Sequence, residues 1–155
     1  MKSLLFIAVA LFYAGCGQTS EATEAITTMN TDAELAAIHN LRDQFELAIK
    51  EGRYGDLQPL AATGIKTVGA GGEGWDEMRR LGQERGMFPY DSLVMSPTET
   101  VLLNDSMAYD WGTSKVYYTN EAGEVVELQD SFLVLLKKEG NDWKLFREVA
   151  SSVVK

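Results

Sequence analysis

Val125-Val126-Glu127-Leu128-Gln129-Asp130-Ser131-Phe132-Leu133-Val134-Leu135-Leu136-Lys137 is the stretch on which the fold turns. Val126, Leu128, Phe132, Val134 and Leu136 recur at every second position, the period of a β-strand that buries one face. Asp130 stands in the middle of that apolar row. A carboxylate there costs free energy unless it is paired or protonated, so it is either a structural ion pair or a working group.

The period of two extends in both directions. Strands are predicted over about 92–103, 106–118, 125–137 and 143–153. Asn104-Asp105, Asn120 to Gly123 and Glu139 to Asp142 separate them, all residue types that accept turn geometry. Before Asp91 the period is 3.6. Leu35, Ile38, Leu41, Phe45, Ala48 and Ile49 form one helical stripe, with Thr31 to Glu34 as a capping box and Gly52 as the stop. A short second helix over Arg53 to Ala62 must bend or break at Pro59. Ile65 to Val68 fits a short strand, and a third helix runs from about Trp75 to Arg85, stopping at Gly86. The glycine run from Gly69 to Gly74 lacks the Gly-Lys-Ser/Thr ending of a phosphate loop and carries Glu73, so it reads as a loop. Helices followed by a meander of long strands indicate an α+β domain with helices on one face of an antiparallel sheet.

The N-terminus is of another kind. Lys2 precedes an apolar run from Leu4 to Ala14, too short for the roughly 20 residues that span a bilayer, and Gly15-Cys16-Gly17 follows. Tyr13-Ala14-Gly15-Cys16 resembles the lipobox of bacterial lipoproteins, with Tyr13 where an aliphatic residue is usual. The resemblance implies a signal peptide over 1–15, lipid attachment at Cys16 and export to the cell envelope. Gly17 favours the periplasmic side of the outer membrane in a cell with two membranes. Residues 16–30 are small and polar and read as a flexible tether, leaving 31–155 as one domain. Cys16 is the sole cysteine, which excludes an intramolecular disulfide.

The full chain has 14 basic and 23 acidic residues. Removing the signal takes away Lys2, so the mature chain would carry 13 − 23 = −10. Such a surface repels nucleic acid and anionic headgroups, so the expected membrane contact is the N-terminal lipid alone. One histidine and one lipidated cysteine leave no metal cluster, no nucleophilic triad and no cofactor motif.

Several stretches together resemble the nuclear-transport-factor-2-like (NTF2-like) superfamily, in its SnoaL-like branch. They are Phe45 to Gly52 with Asp56, Gly74, Asn104 to Ala108 leading to Gly112, Phe132 to Leu136, and Gly140 to Leu145. The resemblance implies a cone: a curved antiparallel sheet wrapped around about three N-terminal helices, with a cavity at the open end. It also implies homodimers through the outer sheet face. Ketosteroid isomerases, relatives in that superfamily, carry a protonated aspartate at what looks like the Asp130 position. That enzyme is a standard example of a neutral catalytic carboxylic acid. Their oxyanion tyrosine matches Phe45, and their general base falls near Val68-Gly69, where no carboxylate stands. Steroid isomerase activity is therefore not expected.

The candidate pocket residues are Asp130, Asp110, Trp111, Arg147, Tyr54, Trp75, Phe88 and Tyr90, with Asp130 and Asp110 as the possible acids or bases. If positions summing to about 279 face each other in the last hairpin, Asp130 lies opposite Val149 and diagonal to Arg147. A buried Asp130–Arg147 pair is then the plain alternative to catalysis. A slip of one residue decides whether Asp110 or Trp111 points inward. His39 lies off the apolar stripe and reads as a solvated or rim residue. Three functions are compatible with these residues: binding of a small, partly apolar molecule without catalysis; an isomerase, cyclase or hydrolase using a pocket aspartate; and a protein-interaction or dimerisation module.

Overall fold

The computed structural model describes residues 30–86 and 88–153. The signal, Cys16 and the tether up to Met29 lie outside the described residues. Helix α1 spans Thr31–Lys50, and its N-cap is Asn30, whose side-chain oxygen accepts from the Ala33 amide at 3.2 Å. The Thr31 capping box is thus displaced by one residue. Glu34, its expected second member, is used elsewhere: it accepts from Lys138 Nζ at 2.6 and 2.7 Å and from Trp143 Nε1 at 2.6 Å. These bonds, the Lys138 one foremost, hold its carboxyl below the usual range. A cation and an indole on the sheet outcompete a single backbone amide, and the exchange ties the start of the helix to the sheet.

Gly52 follows α1 at φ 68° and turns the chain away. The single helix expected over Arg53 to Ala62 is instead two 3₁₀ turns, Tyr54–Asp56 and Gln58–Leu60. Pro59 lacks an N–H and its ring crowds the preceding turn, so the segment breaks into short pieces. Its last residues belong to strand β1, Ala61–Val68. Helix α2 spans Glu73–Arg85 and ends at Gly86 in the left-handed conformation. Strands β2 (Ser92–Leu102), β3 (Met107–Thr119), β4 (Val125–Glu139) and β5 (Asp142–Ser152) follow.

The sheet order is β1-β5-β4-β3-β2, antiparallel except that β1 runs parallel to β5. The architecture is α+β, an open curved sheet with its helices contributed by the N-terminal half. Two apolar clusters fill the concave side. Ile38 and Leu41 of α1 meet Ala108, Phe132, Val134, Leu136 and Trp143 in one. Ile49 joins Trp75, Met78 and Leu81 of α2 with Leu93, Val116 and Tyr118 in the other.

Register decides which side chains reach that interior. On β3 the buried row is Ala108, Asp110, Gly112, Ser114, Val116 and Tyr118, and Trp111 points outward. In the last hairpin the closing pair is Glu139↔Asp142, and Leu136 faces Leu145. One step further Leu135 faces Arg147, so Phe146 is an extra residue, a β-bulge. Beyond it Val134 faces Glu148, Phe132 faces Ala150, and Asp130 faces Ser152 rather than Val149. The bulge exchanges the two faces of β5. Glu148 and Ala150 turn inward, while Arg147 and Val149 turn out.

Candidate functional site

A cavity of about 550 Å³ lies where the two apolar clusters meet. It falls within the roughly 300–1,000 Å³ typical of small-molecule sites. Leu41 and Phe45 of α1, Trp75 and Met78 of α2, and Leu93, Val116, Phe132 and Val134 of the sheet form most of its wall. Three rings close one side: Tyr54 stacks on Phe88 with centroids 5.5 Å apart, and Phe88 meets Tyr90 edge-on at 4.7 Å. Tyr54 is brought there by the 3₁₀ turns that follow α1, so the break at Pro59 shapes the wall as well as the backbone.

Few polar groups interrupt this lining. Asp130 is 6 % exposed and faces Ser114 across the β3–β4 ladder, whose hydroxyl donates to its carboxylate. Burial pushes the Asp130 carboxyl up, and the Ser114 hydrogen bonds hold it back in part. Glu148 reaches the cavity from β5. Burial raises its carboxyl too, and the negative charge of Asp130 raises it further. The Tyr90 phenol is raised by burial first and then by both carboxylates, which places all three groups within electrostatic range of one another.

The structure divides the expected site residues. Asp130, Tyr54, Trp75, Phe88 and Tyr90 line the cavity; Asp110, Trp111 and Arg147 do not. Asp110 is 2 % exposed and forms a buried ion pair with Arg42 of α1, while Thr100 donates to its other oxygen at 3.0 Å. It braces the helix against β2 and β3. Trp111 is on the outer face, its indole N–H 3.4 Å from Glu99. Arg147 donates to the carbonyls of Gly64 and Phe146 and lies 3.8 Å from the Phe146 ring centroid, so the Asp130–Arg147 pair is replaced by outward contacts. His39 is exposed, and its Nδ1 accepts from Arg42. Phe45 and Gly69 line the cavity, whereas Val68 is exposed on the outer side.

Two residues escaped the sequence reading. Arg42 sits four residues after Ile38 and three before Phe45, a position on the apolar stripe that signals a buried charge. Glu148 gave no comparable signal, because its face depends on the bulge. Among the described residues, no group of three or more His, Cys, Asp or Glu side chains gathers as a metal site would require.

Glu148 should weaken the fold at neutral pH. Its folded-state carboxyl is raised above the unfolded value, so the folded protein holds its proton more tightly. Stability is then lost as pH climbs from the unfolded value through the raised one. Glu148→Gln is therefore expected to stabilise the chain at pH 7 by about 0.5–2 kcal/mol, the usual gain when a strained functional group is relieved. The gain should vanish below about pH 4, where glutamate is protonated even when unfolded. Urea melts of both proteins at the two pH values measure it. An unchanged midpoint at pH 7 would contradict the assignment.

No protein-family model matches the chain, and no curated protein matches it. Solved structures do. A conserved protein from Planctomyces limnophilus is 18 % identical with a TM-score of 0.63, over 79 % of this chain and 98 % of that one. A ketosteroid isomerase-like protein from Erwinia carotovora atroseptica is 20 % identical with a TM-score of 0.59, over 79 % and 98 %. An NTF2-like protein of unknown function in nutrient uptake, from Rhodospirillum rubrum, is 16 % identical with a TM-score of 0.59, over 76 % and 98 %. At these identities the likeness is one of fold, and the fold is NTF2-like.

Proposed function

We propose that this chain is an envelope lipoprotein whose NTF2-like domain binds a small, partly apolar molecule without transforming it. The cavity carries this reading: about 550 Å³, walled by aliphatic and aromatic side chains, with a few convergent polar groups at one side. Anchoring through Cys16 rests on the sequence, and none of the described helices is long and apolar enough to cross a membrane. Nutrient uptake, the setting named for the Rhodospirillum rubrum protein, is one in which an envelope pocket of this kind is useful.

A second copy is the proposed protein partner. Val68, Val149, Leu133 and Trp111 are paired in succession across four strands on the outer face. They are 61, 53, 46 and 43 % exposed, a continuous apolar row of the kind that marks an interface. The catalytic alternative loses Asp110, which is committed to Arg42, and gains Glu148 beside Asp130. Two carboxyls with raised protonation are suited to proton transfer.

Native mass spectrometry of the full-length chain isolated from its own membranes tests these readings together. The expected species begins at an acylated Cys16, is a dimer, and carries a small molecule. An unacylated chain overturns the anchor, a monomer overturns the outer-face contact, and an empty protein overturns the pocket reading. A bound molecule released altered by the wild type but intact by Asp130→Asn would replace binding with catalysis.

A further inference from the structure

Four charged side chains border the cavity: Arg42, Arg79, Asp130 and Glu148. Both arginines are committed. Arg42 is paired with Asp110 and donates to Thr100 at 3.2 Å. Arg79 donates to the Ala70 carbonyl at 2.7 Å and is paired with Asp76. Neither acts on the carboxylates. Among the described residues, Asp130 has only the neutral Ser114 as partner, and Glu148 accepts no hydrogen bond and meets no cation. An apolar cavity thus holds two carboxyl groups that, among the described residues, no cation of its wall pairs with.

The Tyr90 hydroxyl is a second, separate sign. Tyr90 is half-buried and lines the cavity near both carboxylates, and its hydroxyl makes no hydrogen bond among the described residues. A hydroxyl in a cavity wall with its hydrogen-bonding capacity unused is open to an occupant. The adjoining wall of Tyr54, Phe88 and Tyr90 offers ring faces whose quadrupoles attract positive charge.

We propose that the occupant is an organic cation, a protonated or quaternary amine on an apolar body, with its charge against Asp130 and Glu148 and its body along the aromatic wall. This rests on the pocket-binding reading and gives that pocket a ligand class. A cation supplies the missing counter-charge, and an ammonium also donates to the Tyr90 oxygen. An anion would meet two carboxylates at low dielectric, and a neutral molecule would leave their charge unmet.

Three probes with one body separate the cases: phenylpropylamine, phenylpropanol and phenylpropanoate, titrated by calorimetry into the full-length chain at neutral pH. The amine is expected to bind at least about tenfold more tightly than the alcohol, and the acid not measurably. Glu148→Gln and Asp130→Asn should each remove most of the amine's advantage over the alcohol, and an unchanged circular dichroism spectrum shows that each variant is folded. An alcohol that binds as tightly as the amine, or a preference for amine that survives both substitutions, overturns the cation and leaves the pocket standing. Failure of all three probes, with a ligand still carried in the native mass spectrum, also overturns the cation alone. Failure with an empty spectrum removes the pocket reading as well.

Discussion

Replacing Asp110 by Ala is expected to destabilise the chain by about 3–5 kcal/mol, because it strands the Arg42 guanidinium in the interior. The two side chains are 2 % and 7 % exposed, and Arg42 lies between Ile38 and Phe45 on the stripe of α1 that faces the sheet. Arg42→Ala should cost a similar amount, leaving Asp110 with only the Thr100 hydroxyl. Substituting both by apolar residues, Arg42→Met with Asp110→Leu, should recover most of the loss, since neither charge is then left alone. Urea unfolding of the three variants measures each term. Single costs below about 1 kcal/mol, the range of exposed pairs, would show that the pair is not buried in solution. Asp110 is thus a brace outside the cavity and Asp130 a pocket group, although the sequence offered them as equals.

Gly112→Ala is expected to cost about 1–3 kcal/mol or more, the range for overfilling a packed interior. A methyl there would stand 2.3 Å from the Ser96 carbonyl oxygen, 2.7 Å from Pro97 Cα and 2.9 Å from the Thr98 amide nitrogen. All three obstacles are backbone, so no side chain can move aside. They are pressed onto Gly112 by the register shift in β2 between Pro97 and Glu99, at the edge of the sheet, where a proline is tolerated. Gly55→Ala is the control, because an added methyl there meets nothing within 4 Å. It should be neutral or mildly stabilising through the unfolded chain. Equal thermal melts for the two variants would refute the close approach of β2 to β3.

That close approach also corrects the sequence reading of β3. Ala108, Asp110, Gly112 and Ser114 suggested room for a ligand or a nearby helix. Only Ser114 borders the cavity; the space beside Gly112 is taken by the neighbouring strand itself. The N-terminus of α1 shows the same limit. Thr31 and Glu34 have the spacing of a capping box, yet Lys138 and Trp143, over a hundred residues away, claim the glutamate.

What the sequence determined by itself were the quantities with a local period. Alternation placed four strands within two residues of their observed ends, 3.6-residue spacing placed α1 and α2, and glycines marked both helix stops. Alternation also turned Asp130 inward with Phe132, Val134 and Leu136, because side chains on one unbulged strand must keep to their faces. The tertiary structure decided everything that depended on pairing between strands. One extra residue, Phe146, reverses the parity of β5, moving Arg147 out of the interior and Glu148 into it. A bulge has no period and no composition of its own. It is set by the ladder with β4 and by the parallel pairing to β1, contacts between segments far apart in the chain. The carboxylate that completes the pocket was therefore present in the sequence but had no assigned face until the sheet was assembled.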